Sequence, residues 1–197
     1  MPGTTVDYRI ISTDGHALES PDMWETYLPK KFHDVMPKLV KDPKGGDAWE
    51  LIPGAPPMPI GLVTNAGEWG KRYEELEWYG SSYDNIRKGA FDGKARVDEQ
   101  DIDGVDAEVL FGSARMMSHF FSDPDPEFHL AGVQAYNNWL AEEIVSVDPT
   151  RLIGLACIPA LGVEAAIREM ERCLKMGFRG VWLNTMPSVG CASGCLS

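Results

Sequence analysis

The sequence has few basic residues and no long apolar run. Its 18 Lys and Arg side chains against 30 Asp and Glu side chains give a formal net charge of −12 at pH 7. Such a charge repels phosphate backbones and anionic lipid surfaces, so we expect no nucleic-acid partner and no membrane partner. The longest nearly unbroken apolar run, Leu152 to Val163, is interrupted by glycine and proline and falls short of the roughly 20 residues that cross a bilayer.

Signatures of several common enzyme classes are also missing. The sequence has no G-x-G-x-x-G motif after a predicted strand and no G-x-x-x-x-G-K-[ST] motif, which removes the main support for a nucleotide-binding fold. It has no G-x-S-x-G elbow, so it does not favour a nucleophilic-serine hydrolase. Because the N-terminus lacks the basic start and apolar block of a secretion signal, we expect a reducing, cytoplasmic location.

Cysteine is scarce, with four residues in 197, and we expect no disulfide bond. Cys157 and Cys173 lie in apolar periodic stretches and are predicted to be small core residues. Cys191 and Cys195 lie in a Gly/Ser tail as a single C-x-x-x-C pair. A closed structural zinc site needs four ligands, so this pair alone does not favour one.

Strands and helices are predicted to alternate along the chain. Short apolar runs predict strands over residues 9–14, 107–111, 152–158 and 180–184. Helices are predicted over about 94–103, from Asp125 as N-cap to about 147, and from 163 to 175. The alternation predicts parallel βαβ units. Four such units make either half of a barrel or an incomplete sheet, and a flavodoxin-like α/β domain is a third alternative.

Apolar periodicity identifies one face on each of the two longer helices. On the helix that begins after Asp125, residues at three- and four-residue spacing predict a buried stripe: Leu130, Val133, Tyr136, Leu140, Ile144 and Val147. On the next helix, four apolar residues share one face: Val163, Ile167, Met170 and Leu174.

The connection after the first strand is unusually long. Residues 37–93 are rich in proline, glycine and aromatic residues, and they far exceed the 2–6 residues that usually join a strand to its helix. We interpret this insert as either a functional lid or a structural decoration. Within it, Asp47–Ile52 and Ile60–Val63 are predicted to pair as a small hairpin.

A potential metal site follows the first strand. Asp14 and His16 lie two residues apart, so in a strand both side chains point to the same face. In parallel α/β folds, catalytic loops and metals collect at the carboxyl end of the strands. Because a carboxylate with an imidazole suits zinc or manganese, we predict that this pair binds a divalent metal.

The segment after the second strand is predicted to be a polar loop that faces the same opening as His16. It contains Ser113, Arg115 and His119. A hydroxyl and a guanidinium there would suit a carboxylate substrate, although a salt bridge within the loop is the plainer interpretation of Arg115. His119 is a candidate catalytic residue, with a solvated or capping histidine as the alternative.

The opening of the sequence resembles that of amidohydrolase-related (amidohydrolase 2) proteins. The resemblance rests on an ordered series of segments: Ile10-Ile11-Ser12-x-Asp14-x-His16-x-x-Glu19-x-Pro21-Asp22-Met23-Trp24, Lys94-Ala95-Arg96, Asp103-Gly104-Val105-Asp106-Ala107, Ala135-Tyr136-Asn137-Asn138-Trp139 and Asp148-Pro149-x-Arg151-Leu152. It implies a metal-dependent (β/α)8, or TIM-type, barrel, of which residues 1–189 would form the N-terminal part with about four βα units. Residues 190–197 depart from the family pattern.

The resemblance also implies roles for individual residues. Asp14 and His16 take the places of the family's metal ligands on the first strand, and Glu19 matches a glutamate near the site and is a candidate catalytic residue. Apart from the resemblance, Asn184, at the end of the fourth predicted strand, is a candidate for substrate binding together with Ser113 and Arg115. The remaining metal ligands of the family would follow later strands.

Two chemistries share this family scaffold. In the hydrolases the metal activates a water molecule, whereas in the decarboxylases it anchors the substrate and an acid protonates the carbon that loses CO2. We therefore expect a metal-dependent hydrolase or carboxy-lyase that acts on a small, carboxylated and aromatic substrate. The alternative is a non-catalytic binding module whose open sheet edge pairs with another copy, as a homo-oligomer, or with a partner chain.

Overall fold

The computed structural model describes residues 8–60 and 71–183. Its main sheet has four parallel strands in the order β1-β5-β6-β7. These are β1 (Ile11–His16), β5 (Ala107–Phe111), β6 (Leu152–Ile158) and β7 (Gly180–Leu183). The sheet curls into half of a TIM-type barrel, which confirms the predicted fold class.

Two of the four predicted strands, β5 and β6, have the predicted bounds. The strand β1 begins and ends two residues later than predicted, so Asp14 and His16 lie within its carboxyl-terminal half. Its pairing with β5 shifts register between Ser12 and Gly15, which is typical of a β-bulge. The strand β7 begins where predicted, and the last residue of its predicted range, Asn184, lies outside the described residues.

The insert forms a second, three-stranded antiparallel sheet in the order β2-β3-β4. Its strands are β2 (Lys38–Lys41), β3 (Asp47–Glu50) and β4 (Met58–Pro59). The strand β3 pairs with residues 58 and 59, and the Ile60 N–H donates to the Asp47 carbonyl at 3.4 Å; the rest of the predicted hairpin partner, residues 61–63, lies outside the described residues. Sequence analysis missed β2, since four residues that follow a proline show too little alternation to identify a strand.

Five α-helices accompany the sheets in the described residues. They are α1 (Met23–Tyr27), α2 (Gly93–Asp103), α3 (Ala114–Ser122), α4 (Pro126–Trp139) and α5 (Val163–Lys175). As predicted, α2 ends at Gly104, which adopts the left-handed conformation. Asp125 caps α4, with its side chain accepting from the Glu127 backbone N–H.

The polar loop predicted after β5 was wrong, because residues 114–122 form the helix α3. Four of its apolar side chains are buried: Met116, Met117, Phe120 and Phe121. They recur one helical turn apart and pack the helix into the core. Ser113 caps the helix by accepting a hydrogen bond from the Met116 backbone N–H.

The apolar stripe of α4 is confirmed except at its ends. Leu130 is only half-buried, and Val147 is exposed. Beyond Trp139 the helix widens into a π-turn over 140–144 and then tightens into a 3₁₀ turn over 145–147. This change of period brings Val145 into the core in place of Val147.

One apolar face of the described structure remains uncovered. The shared face of α5 is exposed, with Val163 at 75% and Leu174 at 70% of full exposure. The helix is held to β6 instead by buried polar contacts: Asn137 of α4 bonds the Cys157 backbone and the Glu169 carboxylate at 2.7–2.9 Å. Cys157 and Cys173 are buried, as predicted.

No helix within residues 8–60 and 71–183 is both long and apolar enough to span a membrane.

Candidate metal and substrate site

Asp14 and His16 come together at the carboxyl end of β1. The Oδ1 atom of Asp14 lies 3.6 Å from Nε2 of His16, and their side chains are 87% and 51% exposed. A carboxylate oxygen and an imidazole nitrogen at this separation can approach one cation from the same side. The pair therefore fits two ligands of a divalent metal that solvent or substrate can reach.

The imidazole of His16 is oriented by the neighbouring strand. Its Nδ1 lies 3.2 Å from the backbone carbonyl oxygen of Gly112, the residue after β5. A carbonyl oxygen only accepts hydrogen bonds, so Nδ1 must carry the proton and Nε2 keeps its lone pair in the neutral ring. Metal-bound histidines are typically held in this way, with the second ring nitrogen donating to a carbonyl or carboxylate.

A cavity of about 230 Å³ opens beside this pair. One wall comes from the segment after β1 and from the start of α3, and the other comes from the insert. Its lining residues are His16, Ala17, Leu18, Glu19, Trp49, Met58, Pro59, Ile60, Trp78, Ser113, Ala114 and Arg115. The insert thus contributes two tryptophans, Trp49 and Trp78, to the wall of the cavity beside the candidate ligand site.

Glu19 is a buried carboxyl group in the cavity wall. The residue is 1% exposed, and its Oε1 has no hydrogen-bond partner within the described residues. Burial raises the pKa of Glu19 from 4.5 to about 7, and a backbone hydrogen bond only partly opposes this effect. A carboxyl group with such a pKa can donate or accept a proton near neutral pH.

Backbone hydrogen bonds fix the position of the segment that carries Glu19. The N–H of Ala17 donates to the Phe111 carbonyl at 3.1 Å, and that of Leu18 donates to the Ala90 carbonyl at 2.8 Å. The hydroxyl of Tyr83 donates to the carbonyl of Glu19 at 2.7 Å. The segment is therefore anchored both to the barrel sheet and to the end of the insert.

Ser113 and Arg115 both line the cavity. The Ser113 oxygen is occupied as an acceptor in capping α3, which leaves its O–H free to donate. Arg115 is exposed and forms no ion pair with the residues that the structure describes. Both side chains thus offer hydrogen-bond donors at the cavity.

His119 is not among the residues that line the cavity. Its ring packs against Phe120 and Phe128, with centroids 5.2 and 5.7 Å away. Burial lowers the pKa of His119. The structure therefore groups Asp14, His16, Glu19, Ser113 and Arg115 but not His119, while Asn184 lies outside the described residues.

The arrangement provides two candidate metal ligands rather than a complete set. Within the two described ranges, no group of three or more His, Cys, Asp or Glu side chains is arranged to hold a metal ion. Sequence analysis also missed Gly112, because a backbone acceptor leaves no signature in side-chain spacing. The roles of Trp49, Met58 and Trp78 as wall residues depend on how the insert folds back over β1.

Sequence comparison identifies relatives of the chain. A family model described as amidohydrolase matches residues 87–193, more than half of the chain. The 2-amino-3-carboxymuconate-6-semialdehyde decarboxylase of Dictyostelium discoideum is 31% identical over 107 residues. This match covers 54% of the chain and 29% of the decarboxylase.

Solved structures share the fold. A crystal structure of an amidohydrolase from Mycobacterium avium subsp. paratuberculosis K-10 matches with a TM-score of 0.64 and 18% identity, over 91% of this chain and 50% of that one. A dihydroxybenzoic acid decarboxylase from Polaromonas sp. JS666, with bound manganese and 2-nitroresorcinol, matches with a TM-score of 0.52 and 20% identity, over 92% and 40% of the two chains. The chain thus spans about half or less of the length of these proteins.

The elevated pKa of Glu19 predicts a distinctive dependence of stability on pH. A raised pKa means that the folded chain binds this proton more tightly, so the stabilisation is complete below about pH 4.5 and is lost as pH rises through about 7. Relative to Glu19→Gln, the unaltered chain should lose about 3 kcal/mol of unfolding free energy between pH 4.5 and 8. Urea unfolding at several pH values measures this difference.

The exposed Glu74→Gln serves as a matched control for the change of residue type. Its unfolding free energy should follow that of the unaltered chain across the same pH range. A free-energy difference between the unaltered chain and Glu19→Gln that does not change with pH would contradict the elevated pKa.

Proposed function

The chain belongs to the amidohydrolase family, and on that premise we propose that it serves the metal-dependent decarboxylation of a small aromatic carboxylate. The observation that carries this proposal is that His16, paired with Asp14, lies at one cavity with the buried Glu19. The relatives support the choice of reaction, since the Dictyostelium and Polaromonas proteins are both named decarboxylases.

Asp14 and His16 would hold the metal through Oδ1 and Nε2, the two atoms that lie 3.6 Å apart. We propose manganese or zinc, and the bound manganese of the Polaromonas enzyme supports the former. When bound, the metal supplies positive charge that attracts a carboxylate or phenolate oxygen of the substrate. The exposure of both ligands leaves room for that oxygen and for further ligands.

The cavity walls would orient the substrate ring. Trp49 and Trp78 offer flat apolar surfaces, and aromatic pairs favour stacked or edge-to-face contacts. Arg115 and the free O–H of Ser113 would bind a carboxylate at the start of α3. A volume of about 230 Å³ suits a single substituted ring rather than an extended ligand.

Glu19 would supply the proton that decarboxylation requires. The bond between the ring carbon and the carboxylate breaks, CO2 leaves, and the electron pair stays on the ring carbon. That carbon takes the proton from Glu19. The Glu19 carboxylate then regains a proton from water, which leaves hydroxide. A pKa of about 7 keeps a substantial share of Glu19 protonated at neutral pH.

Release of CO2 from dihydroxybenzoates tests this function directly. With added manganese, the unaltered chain should release CO2, and His16→Ala should reduce the rate at least about 100-fold because it removes a metal ligand. His33→Ala is the matched control, since the ring of this histidine bonds the Leu28 carbonyl and does not line the cavity. A rate unchanged by His16→Ala, or no CO2 from the unaltered chain, would overturn the proposal.

A second candidate function is a binding module completed by another copy of the chain. The exposed apolar face of α5 favours it, as does the sheet edge at β7, where the described residues provide a partner strand on one side only. An open parallel edge beside an apolar helix face is a common place for association.

Light scattering coupled to size-exclusion chromatography distinguishes this candidate. The unaltered chain should elute as a dimer, and the double variant Ile167→Glu/Leu174→Glu should elute as a monomer, because two charges desolvated in an apolar contact oppose association. Arg168→Gln, on the same helix, should leave the dimer intact. A well-folded monomer of the unaltered chain at micromolar concentrations would count against the module.

A further inference from the structure

Gly112 lies between the candidate metal ligand His16 and the core residue Tyr136, with little space on either side. It follows β5 directly and precedes Ser113, the cap of α3. Its carbonyl oxygen lies 3.2 Å from Nδ1 of His16. On its other side lies the ring of Tyr136, a fully buried residue of α4.

The reason for glycine at this position is space. A Cβ atom built on Gly112 would lie 2.7 Å from Cζ of Tyr136 and 2.8 Å from its hydroxyl oxygen. Carbon atoms pack at about 3.5–4.0 Å, so any larger residue would force the backbone and the ring apart. Tyr136 has little freedom to move, since it is 0% exposed and packs beside Trp139, with ring centroids 5.9 Å apart.

The neighbouring contacts hold the strand ends together but do not fix the imidazole. His16 is paired with Phe111 across the parallel ladder, and the Ala17 N–H donates to the Phe111 carbonyl at 3.1 Å. The His16 ring also touches the Phe111 ring, with centroids 5.9 Å apart. Within the described residues, the Gly112 carbonyl is the one hydrogen-bond acceptor within reach of His16 Nδ1.

We propose that Gly112 is a positioning residue: seated against Tyr136, it presents its carbonyl to His16 and holds the imidazole as the Nδ1–H tautomer with Nε2 available to the metal. This inference rests on the proposed role of His16 as a ligand. It also connects the core with the candidate site, because the packing of Tyr136 in α4 sets the position of the Gly112 carbonyl oxygen after β5. Loss of such a partner typically weakens metal binding by about 10–100-fold.

The tautomer of His16 can be read without metal and without activity. Long-range ¹H–¹⁵N correlation spectra of the uniformly ¹⁵N-labelled chain separate Nδ1–H from Nε2–H imidazoles, and loss of one signal set in His16→Gln assigns the residue. At alkaline pH, the unaltered chain should show His16 as the Nδ1–H form. A predominant Nε2–H form would overturn the proposal outright.

The variant Gly112→Ala should shift His16 to a mixture of tautomers and weaken manganese affinity about 10–100-fold, as measured from free manganese by electron paramagnetic resonance. The control is Gly154→Ala, in which the new methyl group meets Val145 at the same 2.7 Å but on β6, two strands away from β1 and His16. It should lower stability and leave the tautomer unchanged. An unchanged tautomer in a folded Gly112→Ala chain would contradict the proposal.

A rescue variant covers the case in which Gly112→Ala fails to fold. The double variant Gly112→Ala/Tyr136→Leu removes the ring atoms that the methyl group would meet, and it should restore the Nδ1–H form; a folded double variant that keeps mixed tautomers would overturn the proposal. If His16 shows the expected tautomer but the chain binds no manganese, the proposed function fails while the positioning role stands.

Discussion

The parallel pairing of β1 with β5 is the contact on which the candidate site depends. It brings His16 beside Phe111 and places the Gly112 carbonyl within 3.2 Å of the imidazole. The same pairing directs the next three residues into the cavity wall, where Glu19 is buried. A ladder of backbone hydrogen bonds, which carries no chemistry itself, thus places the candidate ligand His16 and the buried carboxyl group of Glu19 at one cavity.

Sequence reasoning succeeded where local pattern and tertiary environment agree. The strands β5 and β6 are short apolar runs between clear turn signals, and the helix α2 is bounded by a capping aspartate and a left-handed glycine. It failed where distant residues decide the outcome. The segment of α3 contains polar residues, and its helix is stabilised by burial of Met116 and Phe120 against other parts of the chain.

The candidate site likewise has features that local sequence predicts and features that depend on distant residues. The spacing of Asp14 and His16 sufficed to predict that both side chains share one end of β1, because alternation in a strand is a local property. The elevated pKa of Glu19 could not be predicted, since it arises from burial of the carboxyl group in the folded chain. The contact of Gly112 with Tyr136 joins residues 24 positions apart, and only the fold reveals it.

The central claim is that Asp14 and His16 bind a divalent metal, and metal stoichiometry tests it most directly. The unaltered chain and the double variant Asp14→Ala/His16→Ala would be saturated with manganese or zinc, desalted and analysed by elemental analysis. The account predicts one metal ion per unaltered chain and none in the double variant. Equal metal content in both proteins, or none in either, would contradict it.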